Sequence, residues 1–140
     1  MKFSIDLPVQ FRDFDIMGHV NNATYLQYME TGRVEFARSI GQIGRGVRTG
    51  FIVASARCEF KRPIIDERRI TVSVWVSRIG RRSWDLDYEI TGTNSVVFAI
   101  GRTTQVGFDY TTRTTAQLSR KLNKDLEKHM ASPLKFREAS

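Results

Sequence analysis

Strict alternation of apolar and polar residues opens the chain, along KFSIDLPVQF at positions 2–11. A period of two predicts a strand with one buried face. Pro8 falls on the polar side of that pattern, where it suits an edge strand or the end of a strand. The apolar positions are Phe3, Ile5, Leu7, Val9 and Phe11.

The next pattern is helical and covers ATYLQYMETGRVEFARSIG, residues 23–41. We predict a helix of about five turns, capped by Asn21 or Asn22 and stopped at Gly41. Its apolar surface is broad, and Gly32 allows close approach, so we expect a central helix that other structure covers. The apolar positions are Tyr25, Met29, Phe36 and Ile40, flanked by Leu26 and Ala37.

A glycine-rich segment, GQIGRGVRTG at 41–50, follows no phosphate-binding spacing and is interpreted as a loop. Four strand-like runs come after it, separated in part by the short turns RIGRR and TGTN, and they predict an antiparallel meander. The runs are FIVASARCEF, RITVSVWVSR, SWDLDYEI and SVVFAIGRTTQVGF.

The last pattern, TTAQLSRKLNKDLEKHM at 114–130, predicts a basic helix that packs one stripe on the body, and the final ten residues are expected to be frayed. The stripe consists of Leu118, Leu122, Leu126 and Met130. The order of elements predicts one α+β domain over residues 1–140, with a five-stranded antiparallel sheet around one helix.

Composition agrees with a single domain that can bury a core, since 41% of the 140 residues are hydrophobic and 11% aromatic. No signal-like or membrane-spanning apolar run occurs in the sequence. The single Cys58 sits in a strand pattern, where a structural role is favoured over a nucleophile. We expect a soluble, cytoplasmic protein.

The net charge of +7 fits either an ordinary solvated surface or a partner that carries phosphates, such as nucleic acid, an anionic membrane or a phosphorylated cofactor. The basic residues are scattered rather than blocked, and the chain has no zinc-finger spacing, arginine-rich tail or RNA-binding aromatic signature. Nucleic acid and membranes are therefore not expected as partners. His19, His129 and Cys58 lie in separate sequence settings, so no metal site is expected either.

The stretch RDFDIMGHVNN at 12–22 concentrates polar groups just before the predicted helix. Asp, Gly and Asn could serve only to form a turn and a helix cap. The same groups could supply a carboxylate and the hydrogen-bond donors of a helix start, which is what carbonyl chemistry requires.

The stretch VQFRDFDIMGHVNNATYLQYMETGRVE, from Val9 to Glu35, resembles the signature of acyl-CoA thioesterases of the 4-hydroxybenzoyl-CoA thioesterase type, which have the hotdog fold. The resemblance continues through Phe60 to Pro63, the RIGRRS turn and GRTTQVGFDYTTR, so it covers nearly the whole chain. It implies a hotdog fold, with a five-stranded antiparallel sheet wrapped around a long central helix and a short C-terminal helix.

The resemblance also implies a site. Asp15 would be the catalytic carboxylate, as nucleophile or general base, and the backbone N–H of Asn22 would bind the oxyanion. His19 would orient water or hydrogen-bond the loop, whereas Asp13, two positions from Asp15, would face the other side and be structural. The implied enzyme hydrolyses an acyl-CoA thioester; an acyl carrier protein thioesterase and a non-catalytic acyl-CoA-binding protein remain alternatives.

Coenzyme A would be part of the substrate, and no metal or bound cofactor is implied. Arginines bind phosphate in a bidentate manner, so the RIGRRS turn is the first candidate for the CoA phosphates. Its residues are Arg81, Arg82 and Ser83, with Lys61 and Arg62 as second candidates. The family implies a homodimer or a homotetramer.

Overall fold

The computed structural model describes residues 1–44 and 49–138. The predicted loop at 41–50 therefore lies partly outside the described residues. The strands are Phe3–Pro8 (β1), Thr49–Phe60 (β2), Arg69–Ile79 (β3), Ser83–Thr91 (β4), Val97–Asp109 (β5) and Thr114–Thr115 (β6), and the helices are Asn22–Ser39 (α1) and Arg120–Glu127 (α2).

The strands form one curled antiparallel sheet in the order β1-β3-β4-β5-β2, and the two-residue β6 pairs with β5. The five main strands were predicted, but the meander holds only for β3, β4 and β5. One edge of β3 pairs with β4, and the other pairs with β1, where Phe3 lies opposite Val74. Since β3 has no free edge, β2 pairs with β5 instead. β1 and β2 are therefore the outer strands, while the three meander strands lie inside the sheet.

The predicted ends of α1 are confirmed. The Asn21 side chain accepts a hydrogen bond from the N–H of Ala23 and caps the helix start. At the other end, the Gln42 N–H donates to Ala37 O at 2.8 Å, and Gly41 adopts φ +75°. This pair of features is a Schellman motif, which only a residue tolerant of positive φ allows.

One side of α1 packs on the concave face of the sheet. A Cβ at Gly32 would lie 2.7 Å from Cγ1 of Val72, so the glycine sets how closely the helix approaches β3. Tyr25, Met29 and Phe36 are buried on this side. Leu26, on the other side, remains 43% exposed, so within the described residues the sheet covers only part of the helix.

α2 is shorter than predicted. It begins after Ser119, whose side chain caps it by accepting from the N–H of Leu122, and it ends at Glu127. Leu118 therefore lies before the helix and Met130 beyond it. Leu126 is fully buried and anchors the helix. Neither described helix is long and apolar enough to cross a membrane.

The expectation of a frayed C-terminus is wrong for residues 131–138. Val76 of β3 lies just past the first residue of β1; it donates its N–H to His129 O and accepts from the N–H of Ala131. The chain after α2 therefore continues the edge of the sheet where β1 stops. The segment then crosses the outer face, where Ser132 O accepts from Nε1 of the buried Trp75 at 3.0 Å.

Candidate active site

The polar stretch before α1 folds into a tight hairpin, residues 14–20. Phe14 and Val20 form an isolated antiparallel bridge, and the Asp15 N–H donates to His19 O at 2.9 Å. The Gly18 N–H closes the turn by donating to Asp15 O at 3.1 Å. Asp15 and His19 consequently lie opposite each other, next to the turn of this hairpin.

Two backbone hydrogen bonds fix the hairpin to the rest of the fold. The Asn21 N–H donates to Asp13 O at 2.9 Å, and the Val20 N–H donates to Ile64 O at 3.0 Å. The first ties the hairpin to the start of α1, and the second ties it to the connection between β2 and β3. The hairpin is thus positioned by elements far apart in the sequence.

Asp13 makes hydrogen bonds within the fold that fit the structural role predicted for it. Its Oδ2 accepts from the Gln10 N–H and from the Tyr28 hydroxyl, each at 2.8 Å. Burial and the neighbouring Asp13 carboxylate both raise the pKa of Tyr28. The Tyr28 hydroxyl therefore stays protonated and keeps donating to Asp13.

Asp15 is held by fewer bonds than Asp13, because its carboxylate accepts one hydrogen bond where that of Asp13 accepts two. Its Oδ1 accepts from the Met17 N–H at 2.9 Å, and the side chain is only partly buried. Within residues 1–44 and 49–138, Oδ2 has no hydrogen-bond partner. One oxygen thus holds the side chain in place while the other remains available.

Asn22 is the first residue of α1, and no acceptor among the described residues takes its N–H. The first N–H groups of a helix lack intrahelical partners and carry partial positive charge. The Asn21 side chain takes the N–H of Ala23, so the N–H of Asn22 is left without an acceptor among the described residues.

A cleft of about 230 Å³ joins several predicted site residues. It brings together His19 and Asn22 with Lys61 and Arg62, which come from the β2–β3 connection. Lys61 Nζ also contacts Glu59 Oε1 at 3.1 Å. Asp15 does not line the cleft, and its link to this group is the backbone bond from its N–H to His19 O.

Tyr25 builds one wall of the cleft, a role that sequence reasoning missed by treating it only as a core residue. Its hydroxyl donates to Arg62 O at 3.2 Å and accepts from the Ile64 N–H at 3.0 Å, and burial raises its pKa. A tyrosine on an apolar helix face is the available signal, since a buried hydroxyl needs partners.

The RIGRRS turn lies far from the cleft in the folded molecule. It joins β3 to β4 at the end of these strands where Ile79 lies opposite Trp84. The cleft lies near the other end, where Thr71 is opposite Thr91. β3 spans about 35 Å at ~3.3 Å per residue. Arg82 Nη1 donates to Thr115 O at 3.1 Å. Arg81, Arg82 and Ser83 are therefore remote from Asp15 of the same chain.

Nothing in the described part of the chain groups three His, Cys, Asp or Glu side chains as metal ligands. Cys58 is half-buried, and burial raises the pKa of its thiol to about 11. That shift opposes thiolate formation, so Cys58 is unsuited to nucleophilic chemistry.

Solved structures with the same fold include thioesterases. A predicted thioesterase from Bacillus stearothermophilus superposes with a TM-score of 0.85 and 24% identity, over 95% of this chain and 99% of its own. The 1,4-dihydroxy-2-naphthoyl-CoA thioesterase from Synechocystis gives a TM-score of 0.79 and 18% identity, over 90% and 96%. These similarities show that the chain has the hotdog-type fold.

Among curated proteins, the uncharacterized protein YsmA of Bacillus subtilis is 29% identical over 80 residues, which is 57% of this chain. The match spans about half, 54%, of the length of YsmA.

The sequence matches a protein family over residues 9–131, which covers the hairpin, the cleft and the strands β2 to β5 but none of β1. The predicted class of enzyme, a thioester hydrolase, is confirmed at the level of that family. The chain belongs to the thioesterase-like superfamily.

Proposed function

We propose that this protein is an acyl-CoA thioesterase in which Asp15 is the catalytic carboxylate. The observation that carries the proposal is a carboxylate oxygen of Asp15 and a backbone N–H of Asn22 that both lack partners among the described residues, with Asn22 and the neighbour of Asp15 across the hairpin, His19, lining one cleft. The similar structure from Synechocystis is that of a 1,4-dihydroxy-2-naphthoyl-CoA thioesterase, which supports an acyl-CoA as the class of substrate.

Asp15 would act by one of two routes. Its carboxylate attacks the thioester carbonyl and forms a mixed anhydride that water cleaves, or it takes a proton from water, whose oxygen attacks. In either route the carbonyl electron pair moves to oxygen and returns as the C–S bond breaks. CoA leaves as a thiolate and takes up a proton, and the other product is a carboxylic acid.

Asn22 would stabilise the negative oxygen in the intermediate. Its N–H and the positive end of α1 act on the same atom, and neither has to be reorganised during the reaction. His19, across the hairpin from Asp15, would orient the attacking water. Tyr25 would keep the opposite wall in position through its bonds to Arg62 and Ile64.

Lys61 and Arg62 would contact the CoA phosphates of a substrate in the same chain's cleft, because they already line it. Arg81, Arg82 and Ser83 could serve only the site of another subunit, given their position at the far end of β3 and β4. A homodimer would also cover the exposed side of α1, including Leu26, and so make the helix central.

The test is Asp15→Asn, assayed by thiol release from a panel of acyl-CoA esters. The amide oxygen can still accept from the Met17 N–H, so the hairpin should keep its fold while losing the charge. We expect turnover to fall by about 100-fold or more, as removal of a catalytic base does. Circular dichroism and thermal melting check the fold.

The matched control is Asp66→Asn, which removes a charge from an exposed carboxylate near the same end of the molecule. It should retain near-wild-type turnover. A folded Asp15→Asn protein as active as this control would show that Asp15 is not the catalytic carboxylate.

A further inference from the structure

A second pocket, of about 270 Å³, lies at the opposite end of α1 from the cleft. It is enclosed by the residues that follow α1, by α2 and the segment before it, and by the ends of β2 and β5. The two ends of the 18-residue helix are about 27 Å apart at ~1.5 Å per residue. Within one chain the pocket is therefore separate from the candidate active site.

The walls of this pocket are mainly apolar. Ile40 comes from the end of α1, Leu118 from the segment before α2, and Leu122 from α2 itself. Backbone of Gly50 and Gly107 forms the side towards the sheet. Such a surface suits a hydrocarbon or aromatic group, and the volume lies just below the ~300–1,000 Å³ typical of ligand pockets.

Gln42 places in this apolar setting a donor that has no partner among the described residues. The Schellman motif fixes its backbone, through the bond from its N–H to Ala37 O. Its side-chain Nε2 is buried and has no hydrogen-bond partner in the described part of the chain. A buried amide without a partner is costly, so a ligand that offers an acceptor oxygen would be favoured.

A second donor lies on the same side of the pocket. Lys121 Nζ is 3.7 Å from the position of a Cβ at Gly41, the residue next to Gln42. Lys121 is paired with Asp125 at 2.8 Å, but Lys128 also lies 3.9 Å from that carboxylate. Asp125 also lines the pocket, and the two ammonium groups around its carboxylate leave this cluster with a net positive charge.

We propose that this pocket binds a small carboxylic acid. Its carboxylate would accept from Gln42 Nε2 and Lys121 Nζ, and its apolar part would lie against Ile40, Leu118 and Leu122. An acid released by thioester hydrolysis belongs to this chemical class; that identification rests on the proposed function, whereas the binding itself does not.

The proposal is tested with hexanoate and benzoate as probes and with hexanamide and benzamide as neutral controls of the same shape. Nuclear magnetic resonance titration follows the side-chain amide signals of Gln42, assigned by their absence in Gln42→Leu. We expect saturable shifts with the acids and at least about tenfold weaker binding of the amides. No saturable shift, or equal affinity for acid and amide, would overturn the proposal.

Gln42→Leu should weaken hexanoate binding by about tenfold or more, measured by calorimetry. Its melting temperature should be equal to or above that of the wild type, because the unpaired polar group is gone. Gln117→Leu is the matched control, since Gln117 borders the same pocket but is exposed. Equal binding by the two variants would overturn the assignment.

Asp15→Asn separates this proposal from the proposed function. Hexanoate should bind this variant as it binds the wild type, because the pocket lies beyond the other end of α1. An absence of thioesterase activity in every variant would contradict the proposed function and leave the acid pocket standing. A hexanoate affinity that fell with Asp15→Asn would instead place the acid in the cleft and overturn the pocket.

Discussion

At the scale of single residues, the carboxylate most completely buried by the fold is Asp87, which is fully enclosed. It accepts two bonds from Arg102, at 2.7 and 2.9 Å, and one each from the Ser77 hydroxyl and the Leu134 N–H. These bonds raise the pKa of Arg102. Hydrogen-bond donors from the neighbouring strands and from the C-terminal segment therefore compensate the charge of Asp87.

Asp87→Ala should lower the free energy of unfolding by about 3–5 kcal/mol, because it leaves the Arg102 guanidinium and the Leu134 N–H without their acceptor. Urea denaturation measures this change. Glu89→Ala, on the same face of β4, is the matched control and should cost about 1 kcal/mol or less. Equal costs for the two substitutions would contradict the role given to Asp87.

At the scale of elements, the C-terminal segment acts as part of the sheet's outer layer. Together with Lys2, whose Nζ lies 4.1 Å from the ring centroid, it covers Trp75, and Trp75 donates to Ser132 O. The ring of Phe136 contacts the guanidinium groups of Arg57 and Arg102, which lie 4.7 and 4.8 Å from its centroid. A segment without helix or strand thus completes the burial of β3, β4 and β5.

A chain ending at Met130 should be less stable by about 2–4 kcal/mol, since Trp75 loses its cover and Asp87 loses a donor. Tryptophan emission should shift to longer wavelength as Trp75 becomes exposed, while Trp84 stays in the core. Lys135→Ala, an exposed change within the same segment, should leave both properties unchanged. Emission unchanged by the truncation would show that the segment does not cover Trp75.

At the scale of the whole molecule, β2 is the feature that indicates a partner subunit. It is a 12-residue strand at the edge of the sheet, and Ile52 and Val53 are each 40% exposed. Long, apolar edge strands are rarely left open in a monomer, because their unpaired backbone groups invite pairing with another chain. We expect β2 to be the interface between two copies.

Light scattering at micromolar concentration should therefore give about 32 kDa or more, twice the 16.1 kDa of the chain. Ile52→Lys should shift the protein towards the monomer by placing a charge on the interface. Ile65→Lys introduces the same charge at an exposed apolar residue outside β2 and should keep the oligomer. A wild-type mass near 16.1 kDa would contradict the expected interface.

The candidate site was predictable to the extent that it is local. Asp15, His19 and Asn22 lie within eight residues, so one hairpin and one helix start bring them together. Lys61 and Arg62 could be proposed from their charge, but their place in the cleft depends on the bond from the Val20 N–H to Ile64 O. Contacts between segments so far apart leave no periodic signal in the sequence.

The sequence by itself determined the five main strands and α1 with its two ends, because alternation, helical spacing and capping residues act over a few positions. Only the tertiary structure decided that β2 pairs with β5, that the C-terminal segment covers Trp75 and Asp87, and that the RIGRRS turn lies far from the cleft. Those outcomes depend on which segments compete for each strand edge and for each buried face. That competition involves the whole chain at once, so no single stretch of sequence contains its result.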